Sequence, residues 1–344
     1  MTPLILLTGF LGSGKTTLLS QLLRTPSFAR TAVIINEFGA VGLDHELLEA
    51  GDETMIELTN GCLCCRVQTD LANTLAQLNK RRALGEAVFD RVVIETSGLA
   101  DPVPIIQALT SDLSIGAEFA IDRVVTVVDV LCGVQTAEAY GEARRQIAMA
   151  DILVLSKLDL ADAAERSRTE QLLERLNQSA LRVQGSDLER VLAASTPPIV
   201  SDVNGSYRRL GLKTQDHADD GGDASAGHRH GVSAEQVYTT VQLVHGRPIA
   251  ANVIPLFLEA LATHEGKRLL RLKALVHIAE MPERPMVVHG VQHVFYQPTW
   301  LERWPTEDHS TRIVLIGHDL SQAWVHRLLQ ALEVEVAEVS LILS

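Results

Sequence analysis

The residues with the most specific chemistry lie near the start of the chain. There a short apolar run, Pro3 to Thr8, leads into Gly9-Phe-Leu-Gly12-Ser-Gly14-Lys15-Thr16-Thr17. This is the G-x-x-x-x-G-K-[ST] pattern of a phosphate-binding loop between a strand and a helix. The glycines let consecutive backbone N–H groups turn inward, and these groups bind a triphosphate together with the positive end of the helix. The predicted nucleotide contacts are Gly9, Gly12, Ser13, Gly14, Lys15, Thr16 and Thr17, with Lys15 on the β/γ oxygens and Thr16 on Mg²⁺.

A second motif, Glu95-Thr96-Ser97-Gly98, follows the apolar run Val92–Ile94. In phosphate-loop enzymes an acidic residue at this place lies beside Mg²⁺, and the glycine N–H meets the γ-phosphate and so senses hydrolysis. The usual residue is Asp, and the extra methylene of Glu favours a water-mediated contact. We predict that Glu95 and Gly98 join Lys15 and Thr16 as the catalytic set. The alternative is that the motif only caps the end of a strand.

A third motif, Ser156-Lys157-Leu158-Asp159, is suited to guanine. Guanine presents N1–H and its 2-amino group side by side, and a carboxylate accepts both hydrogen bonds, whereas adenine offers no such pair of donors. We predict that Asp159 accepts these bonds and that the stem of Lys157 packs on the base, which favours GTP over ATP. Ser156 stands where Asn is usual. The alternative is an ordinary turn with Asp159 as a helix N-cap.

Three of the four cysteines lie within four residues, in Asn60-Gly-Cys62-Leu-Cys64-Cys65. Thiolates are soft ligands suited to Zn²⁺, Co²⁺ or Cu⁺. We expect the next helix to start near Thr69, which leaves the cysteine segment extended. In an extended segment the side chains of Cys62 and Cys64 point the same way. Because Cys-x-Cys-Cys supplies at most three ligands, we take Glu37, in Asn36-Glu37-Phe-Gly39 after the second strand, as the candidate fourth. A redox pair and buried structural cysteines remain alternatives.

The fourth cysteine and the histidines give weaker evidence. Cys132 is predicted to be a small buried hydrophobic residue. His217, His228 and His230 lie in an acidic, glycine-rich segment, where polar filler is the preferred interpretation and loose metal binding the alternative.

The order of apolar and helical segments predicts an α/β fold. Near-continuous apolar strands alternate with helices over the first ~200 residues, which indicates a parallel sheet covered on both faces, with ligands bound at the carboxyl ends of its strands. The expected strands are Leu4–Thr8, Ala32–Asn36, Arg91–Glu95, Val124–Asp129, Ile152–Ser156 and Ile199–Ser201. The expected helices are Lys15–Arg24, Thr69–Leu84, Pro102–Leu109, Glu142–Ala148 and Glu165–Gln178.

A change of composition divides the chain. We predict a phosphate-loop domain over residues 1–212, a flexible Asp/Gly/His linker over 213–235 and a smaller α+β domain over 236–344. In the last of these the expected helices are Pro248–Thr263 and Ser321–Leu332, and the expected strands are Val237–Val244, Leu269–Ile278, Met286–Phe295 and Arg312–Gly317.

Composition excludes several classes of protein. The chain has 344 residues, of which 46% are apolar, and a net charge of −13, which argues against a general nucleic-acid or anionic-membrane surface. No apolar run reaches the length of a membrane span, and the apolar start lacks the basic region and cleavage site of a signal peptide. We therefore expect a cytoplasmic protein that binds neither nucleic acid nor membrane.

These motifs, in this order, resemble the CobW-like family of phosphate-loop GTPases. Gly61-Cys-Leu-Cys-Cys65 and Glu95-Thr-Ser-Gly-Leu-Ala-Asp-Pro102 are specific for it, and Arg268–Ala274 looks like part of its C-terminal domain. The family contains metallochaperones and metal-insertion proteins, with branches for zinc, for cobalt in cobalamin synthesis and for nitrile hydratase activation. The resemblance implies a GTPase with Mg²⁺ at Thr16 and Glu95, and a transferred ion, Zn²⁺ first and Co²⁺ second, at Cys62, Cys64, Cys65 and Glu37.

The resemblance also implies a client metalloprotein as the partner, and it leaves self-association open. Two other functions compete with this hypothesis. One is a small-molecule kinase that uses ATP, which leaves the cysteine cluster unexplained. The other is a zinc-binding or redox-sensing protein with a vestigial nucleotide site.

Overall fold

The first module is built on a parallel sheet. The computed structural model of the chain describes residues 1–36, 55–57, 64–193, 238–296 and 298–343. Within these ranges seven strands pair in the order β3-β2-β4-β1-β5-β6-β7, and every pairing is parallel. The strands are β1 (Thr2–Gly9), β2 (Thr31–Asn36), β3 (Met55–Glu57), β4 (Arg91–Thr96), β5 (Phe119–Asp129), β6 (Ile152–Ser156) and β7 (Leu181–Gln184).

Helices cover both faces of this sheet, as the apolar strands require. Alternate residues of β1 show the division, because Leu4 and Leu6 belong to one apolar core and Ile5 and Leu7 to the other. The helices of this module are α1 (Lys15–Leu23), α2 (Cys64–Ala83), α3 (Pro102–Ser111), α4 (Leu113–Glu118), α5 (Gly133–Ala139), α6 (Gly141–Met149), α7 (Ala163–Leu176) and α8 (Gly185–Ala193), with a short 3₁₀ helix at Pro26–Phe28. The predicted α/β fold with a parallel sheet is confirmed.

The second module is a smaller α+β unit. Its strands pair antiparallel in the order β11-β10-β9-β13-β8, and β12 pairs with β10. Two helices pack on one face of the sheet around buried residues such as Phe257, Leu272 and Leu315. The elements are β8 (Tyr238–His245), α9 (Val253–Glu265), β9 (Leu269–Val276), β10 (Met286–Val291), β11 (Val294–Phe295), β12 (Thr299–Trp300), β13 (Thr311–His318) and α10 (Gln322–Leu343).

Three predicted elements of the second module were wrong in their extent. The helix expected over Ser321–Leu332 begins at Gln322 and continues to Leu343, and Val336 in its later part still packs in the core. The helix expected from Pro248 begins at Val253, because Ile249 forms a parallel bridge with Ile278 instead. The strand expected over Met286–Phe295 is interrupted by a turn in which Gln292 has a φ of 54°, so the chain folds back as β10 and β11.

The two modules share a packed interface. Four apolar residues of the second sheet, Leu270, Val291, Val314 and Ile316, belong to the same core cluster as one face of the first sheet. In this contact the Asp151 carboxylate, whose side chain is 2% exposed, pairs with cations of the second module.

Several predictions concern residues outside the described ranges. They are the strand at 199–201, the linker at 213–235 with its three histidines, Glu37 and Cys62, and the side chains of Cys64 and Cys65, for which the structure describes the backbone alone. The described elements of the first module end at Ala193 and those of the second begin at Tyr238. The domain boundaries therefore stay predictions. In the part of the chain that is described, no helix is long and apolar enough to span a lipid bilayer.

Candidate functional site at the carboxyl edge of the parallel sheet

The phosphate loop connects β1 to α1 and has the backbone its sequence requires. Gly14, the residue that precedes α1, has a φ of 94°, a left-handed conformation in which a Cβ is strained. Lys15 is 8% exposed, and its Nζ donates a hydrogen bond to the carbonyl oxygen of Phe10 at 3.3 Å. The ammonium therefore lies across the loop that its own backbone forms, where phosphate oxygens bind in proteins of this type.

Glu95 lies beside the predicted Mg²⁺ ligand Thr16. Strands β1 and β4 are adjacent and pair Leu7 with Glu95, which brings the end of β4 to the start of the phosphate loop. The Thr16 hydroxyl donates to Glu95 Oε1 at 2.7 Å, and Glu95 is 4% exposed. The extra methylene of Glu therefore does not hold the carboxylate away from Thr16. Two oxygen donors of this kind are the hard ligands that Mg²⁺ prefers.

Gly98 packs directly on the phosphate loop. A Cβ built on Gly98 would lie 2.6 Å from the backbone nitrogen of Leu11, a distance no side chain tolerates. The loop that follows β4 can therefore approach the phosphate loop this closely only with glycine at this place. The sequence placed Gly98 near the γ-phosphate, and the structure brings its backbone to the loop that would hold that phosphate.

The base-recognition motif is tied to the phosphate loop through Ser156. Its hydroxyl donates to the carbonyl oxygen of Ser13 at 2.7 Å, and it also lies 3.3 Å from the carbonyl oxygen of Val128. A hydroxyl at the end of β6 thus fixes the loop that carries Lys157 and Asp159 relative to the phosphate site. Although Ser156 replaces the usual Asn, its side chain still joins the two loops by a hydrogen bond.

Asp159 and Lys157 have different surroundings. Asp159 is exposed and lines a cavity of about 310 Å³ with Leu158 and Gln184, among others. Lys157 has a φ of 57°, and its Nζ pairs with Asp129 Oδ2 at 2.7 Å. The carboxylate predicted to read guanine is therefore accessible, while the lysine beside it is held by an aspartate.

Sequence reasoning missed Asp129. This residue ends β5, and its other oxygen accepts a hydrogen bond from the backbone N–H of Leu131 at 2.9 Å. The available signal was an acidic residue at the carboxyl end of a buried strand next to β1 in the sheet, the same signal that singled out Glu95. Its carboxylate orients the side chain of Lys157.

The structure describes only the C-terminal part of the cysteine motif, from residue 64 onward. Helix α2 begins at Cys64, not near Thr69 as predicted, so Cys64 and Cys65 lie in the first helical turn and not in an extended segment. Cys62 and Glu37 lie outside the described residues. The structure does not test whether the four residues meet. Within the described ranges no group of three or more His, Cys, Asp or Glu side chains is arranged to hold a metal ion.

Cys132 contradicts its prediction. It is exposed at the start of α5, because the chain turns after β5 around Asp129, whose Oδ1 also accepts from the Cys132 N–H at 3.4 Å. The buried strand β5 ends at Asp129, three residues before Cys132, so Cys132 lies outside the apolar core.

His289 of β10 has a strongly altered environment. Burial lowers its pKa well below the ordinary value, and the charges of Lys273 and Arg271 lower it further. It lies at the interface between the modules, away from the nucleotide loops.

Comparisons with known proteins cover both modules. Residues 3–184 match the family described as the CobW/HypB/UreG nucleotide-binding domain, and residues 238–333 match the cobalamin synthesis protein cobW C-terminal domain. The zinc chaperone YjiA of Escherichia coli (strain K12) is 32% identical over 321 residues, covering 92% of this chain and 94% of that protein. The zinc chaperone CobW of a Sinorhizobium species is 29% identical over 362 residues, covering 96% and 97%. The crystal structure of Zn(II)-bound YjiA GTPase from E. coli shares the fold, with a TM-score of 0.61 and 24% identity over 96% of this chain and 98% of that one.

Proposed function

The chain belongs to the CobW family, and from this membership we propose that it is a GTP-hydrolysing metallochaperone that binds a divalent ion, zinc first and cobalt second, and delivers it to a client metalloprotein. The main observation behind the proposal is that its motifs lie at the same edge of one sheet. The phosphate loop, the Glu95–Gly98 motif, the Ser156–Asp159 motif and the start of α2 all follow carboxyl ends of strands in one parallel sheet.

The nucleotide part of the proposal rests on contacts between these loops. Ser156 bonds the phosphate loop, so binding of the base and binding of the phosphates support each other. Asp159 is exposed and presents a carboxylate, which matches the paired donors of guanine and not the edge of adenine. This difference favours GTP over the ATP that a kinase uses.

Thr16 and Glu95 would hold Mg²⁺. Their oxygens already lie within hydrogen-bond distance of each other in a nearly buried place, which suits a small, hard cation. When bound, Mg²⁺ neutralises charge that develops on the β- and γ-phosphates. The chain's own residues then orient the nucleotide: Lys15 on the phosphates, Gly98 through its N–H and Asp159 on the base.

The cargo ion would be held by Cys62, Cys64, Cys65 and Glu37. Cys64 and Cys65 begin α2, and the positive end of a helix stabilises thiolates, the form that binds zinc. Asn36, directly before Glu37, pairs in register with Thr96, so the chain toward Glu37 leaves the sheet beside the Glu95–Gly98 motif. Cargo site and γ-phosphate sensor would then be neighbours.

This proximity gives a mechanism for release. With GTP bound, Gly98 and the chain after Asn36 would be held by the γ-phosphate and would complete the thiolate site. Hydrolysis removes those contacts, so the loops relax and the affinity for the ion decreases. Thermodynamic linkage requires the reverse effect as well: the ion must change nucleotide affinity. We further propose that hydrolysis is slow without the client protein and that the protein acts in the cytoplasm.

The experiment measures zinc stoichiometry and phosphate release on the full chain. A Cys62→Ser, Cys64→Ser, Cys65→Ser triple variant should lose the tight zinc site, and Cys132→Ser, which removes an exposed cysteine elsewhere, should keep it. Lys15→Ala should abolish GTP turnover. Equal zinc binding by the triple variant would overturn the cargo site. Turnover of ATP in preference to GTP would favour the kinase alternative.

A further inference from the structure

Gln146 is a buried polar side chain that joins the Glu95–Gly98 motif to helix α6. It is 1% exposed, and its Nε2 donates to the carbonyl oxygens of Gly98 at 3.1 Å and Ala100 at 3.0 Å. An amide NH₂ has two protons, so both are used on this one loop. The backbone carbonyl oxygen of Gln146 accepts from the hydroxyl of Thr126 in β5 at 2.8 Å, which ties this turn of α6 to the sheet.

These two hydrogen bonds fix the backbone on which Gly98 lies. With the carbonyls of Gly98 and Ala100 held, rotation of the peptide groups that follow Gly98 is restricted. The Ala100 N–H donates to the carbonyl oxygen of Ser97 at 3.1 Å, and that carbonyl shares a peptide group with the Gly98 N–H, so the same turn limits the direction of the Gly98 N–H. Because Gly98 has no side chain, its place against Leu11 cannot be held by its own contacts beyond the backbone. Gln146 supplies that constraint from a different element.

The other end of α6 contacts the second module. Arg271 of β9 donates to the carbonyl oxygen of Met149, the last residue of α6, and pairs with Asp151 Oδ1 at 2.6 Å. Lys273, also of β9, pairs with the same carboxylate. Gln146 and Met149 are three residues apart, so one helical turn separates the loop contact from the module contact.

A second connection leaves the same loop from its other side. Helix α3 begins at Pro102, and its Gln107 Nε2 donates to Gln292 Oε1 at 2.7 Å, in the turn that follows β10. The loop at Gly98–Ala100 is thus connected to the second module through α6 and through α3. A displacement of this loop that moved α3 or α6 would strain these contacts with the second module.

We propose that Gln146 is a positioning residue that sets the Gly98 loop for the γ-phosphate and passes its state through α6 to strand β9 of the second module. The inference rests on the proposed GTP function. It assigns to the second module the role of responding to the nucleotide, through the contacts of Arg271 and Lys273, and it makes the contact between modules dependent on the presence of a γ-phosphate.

The test uses Gln146→Met, which keeps the length of the side chain and removes both donors. Thr25→Val is the control, because it removes a half-buried side-chain hydrogen bond, from Thr25 Oγ1 to the carbonyl oxygen of Leu22 at 2.8 Å, beyond the C-terminal end of α1 and outside the cavity that Asp159 lines. The readouts are the Kd values for GDP and for a non-hydrolysable GTP analogue, and deuterium exchange of β9 and β10 with each nucleotide.

In the wild type, exchange in β9 and β10 should differ between the two nucleotides. In Gln146→Met the GDP affinity should stay within twofold, the analogue should bind roughly five- to tenfold more weakly, as loss of about one net hydrogen bond predicts, and the exchange difference should disappear. Thr25→Val should keep both the affinity for the analogue and the exchange difference.

Arg271→Met should also lose the exchange difference, and the Gln146→Met, Arg271→Met double variant should lose no more than either single variant. A wild type without the difference, or a Gln146→Met variant that keeps it, overturns the inference. Failure to bind GTP at all would instead reject the proposed function.

Discussion

Replacing Asp151 by Asn is the sharpest test of how the two modules are held together. The Asp151 carboxylate is 2% exposed as a side chain and pairs with Arg271 and Lys273, whose side chains are 11% and 16% exposed. Its second oxygen accepts from the backbone N–H of Val124 at 2.7 Å. Asparagine keeps an acceptor for Val124 but removes the charge that both cations face.

The expected cost follows from that burial. Removing one partner of a buried ion pair leaves an uncompensated charge and costs about 3–5 kcal/mol. Burial lowers the pKa of Lys273 to about 7, and the charge of Arg123 lowers it further. The Asp151 carboxylate pairs with the ammonium, and an opposite charge this close favours the protonated form. Without the carboxylate Lys273 can lose its proton more easily, so the cost should be smaller at pH 9 than at pH 6.

The assay is denaturant unfolding of the full chain at both pH values. Asp90→Asn is the control, because Asp90 pairs with Arg30 at a similar 2.7 Å but both side chains are about 60% exposed. That variant should change the free energy of unfolding by less than about 0.5 kcal/mol at either pH. A loss of less than about 1 kcal/mol in Asp151→Asn, or a larger loss at pH 9 than at pH 6, would refute the reasoning.

Three further predictions follow from other contacts. Ser156→Ala should weaken GTP binding about tenfold, because it removes the bond to Ser13, whereas Ser156→Asn should retain most of the affinity in the same titration. Asp159→Asn should shift preference from GTP to xanthosine triphosphate, whose 2-oxo group accepts from an amide; unchanged preference would place the base elsewhere. The lowered pKa of His289 means that, as the pH falls below about 6.5, the unfolded chain binds a proton that the folded chain does not. The free energy of unfolding should therefore decrease in this range by up to about 1.4 kcal/mol per pH unit, and His289→Gln should flatten the slope.

The sequence predicted most of the parallel sheet and its loops because both depend on local patterns. Strands β1, β2, β4 and β6 are apolar runs that are buried on both faces, and the motifs at their ends have fixed spacings. Short elements such as β3 and β7 were missed because three or four residues carry too little periodicity.

Contacts between distant segments could not be predicted from the chain alone. Asp129, Gln146 and Asp151 act through partners that are far away in sequence and come close only after the sheet has formed. The start of α2 was placed too late because Cys64 and Cys65 are weak helix formers whose role suggested a loop. Cys132 was judged by its apolar neighbours, and the turn after β5 exposes it.

The central claim is that the affinity of the protein for zinc depends on which nucleotide is bound. The most direct measurement is the Kd of zinc for the full chain, titrated against a chromophoric chelator with Mg²⁺ and either a non-hydrolysable GTP analogue or GDP. We predict tighter zinc binding with the analogue, by at least tenfold, and zinc should raise the affinity for the analogue relative to the affinity for GDP by the same factor. Equal zinc affinity with both nucleotides would contradict the account.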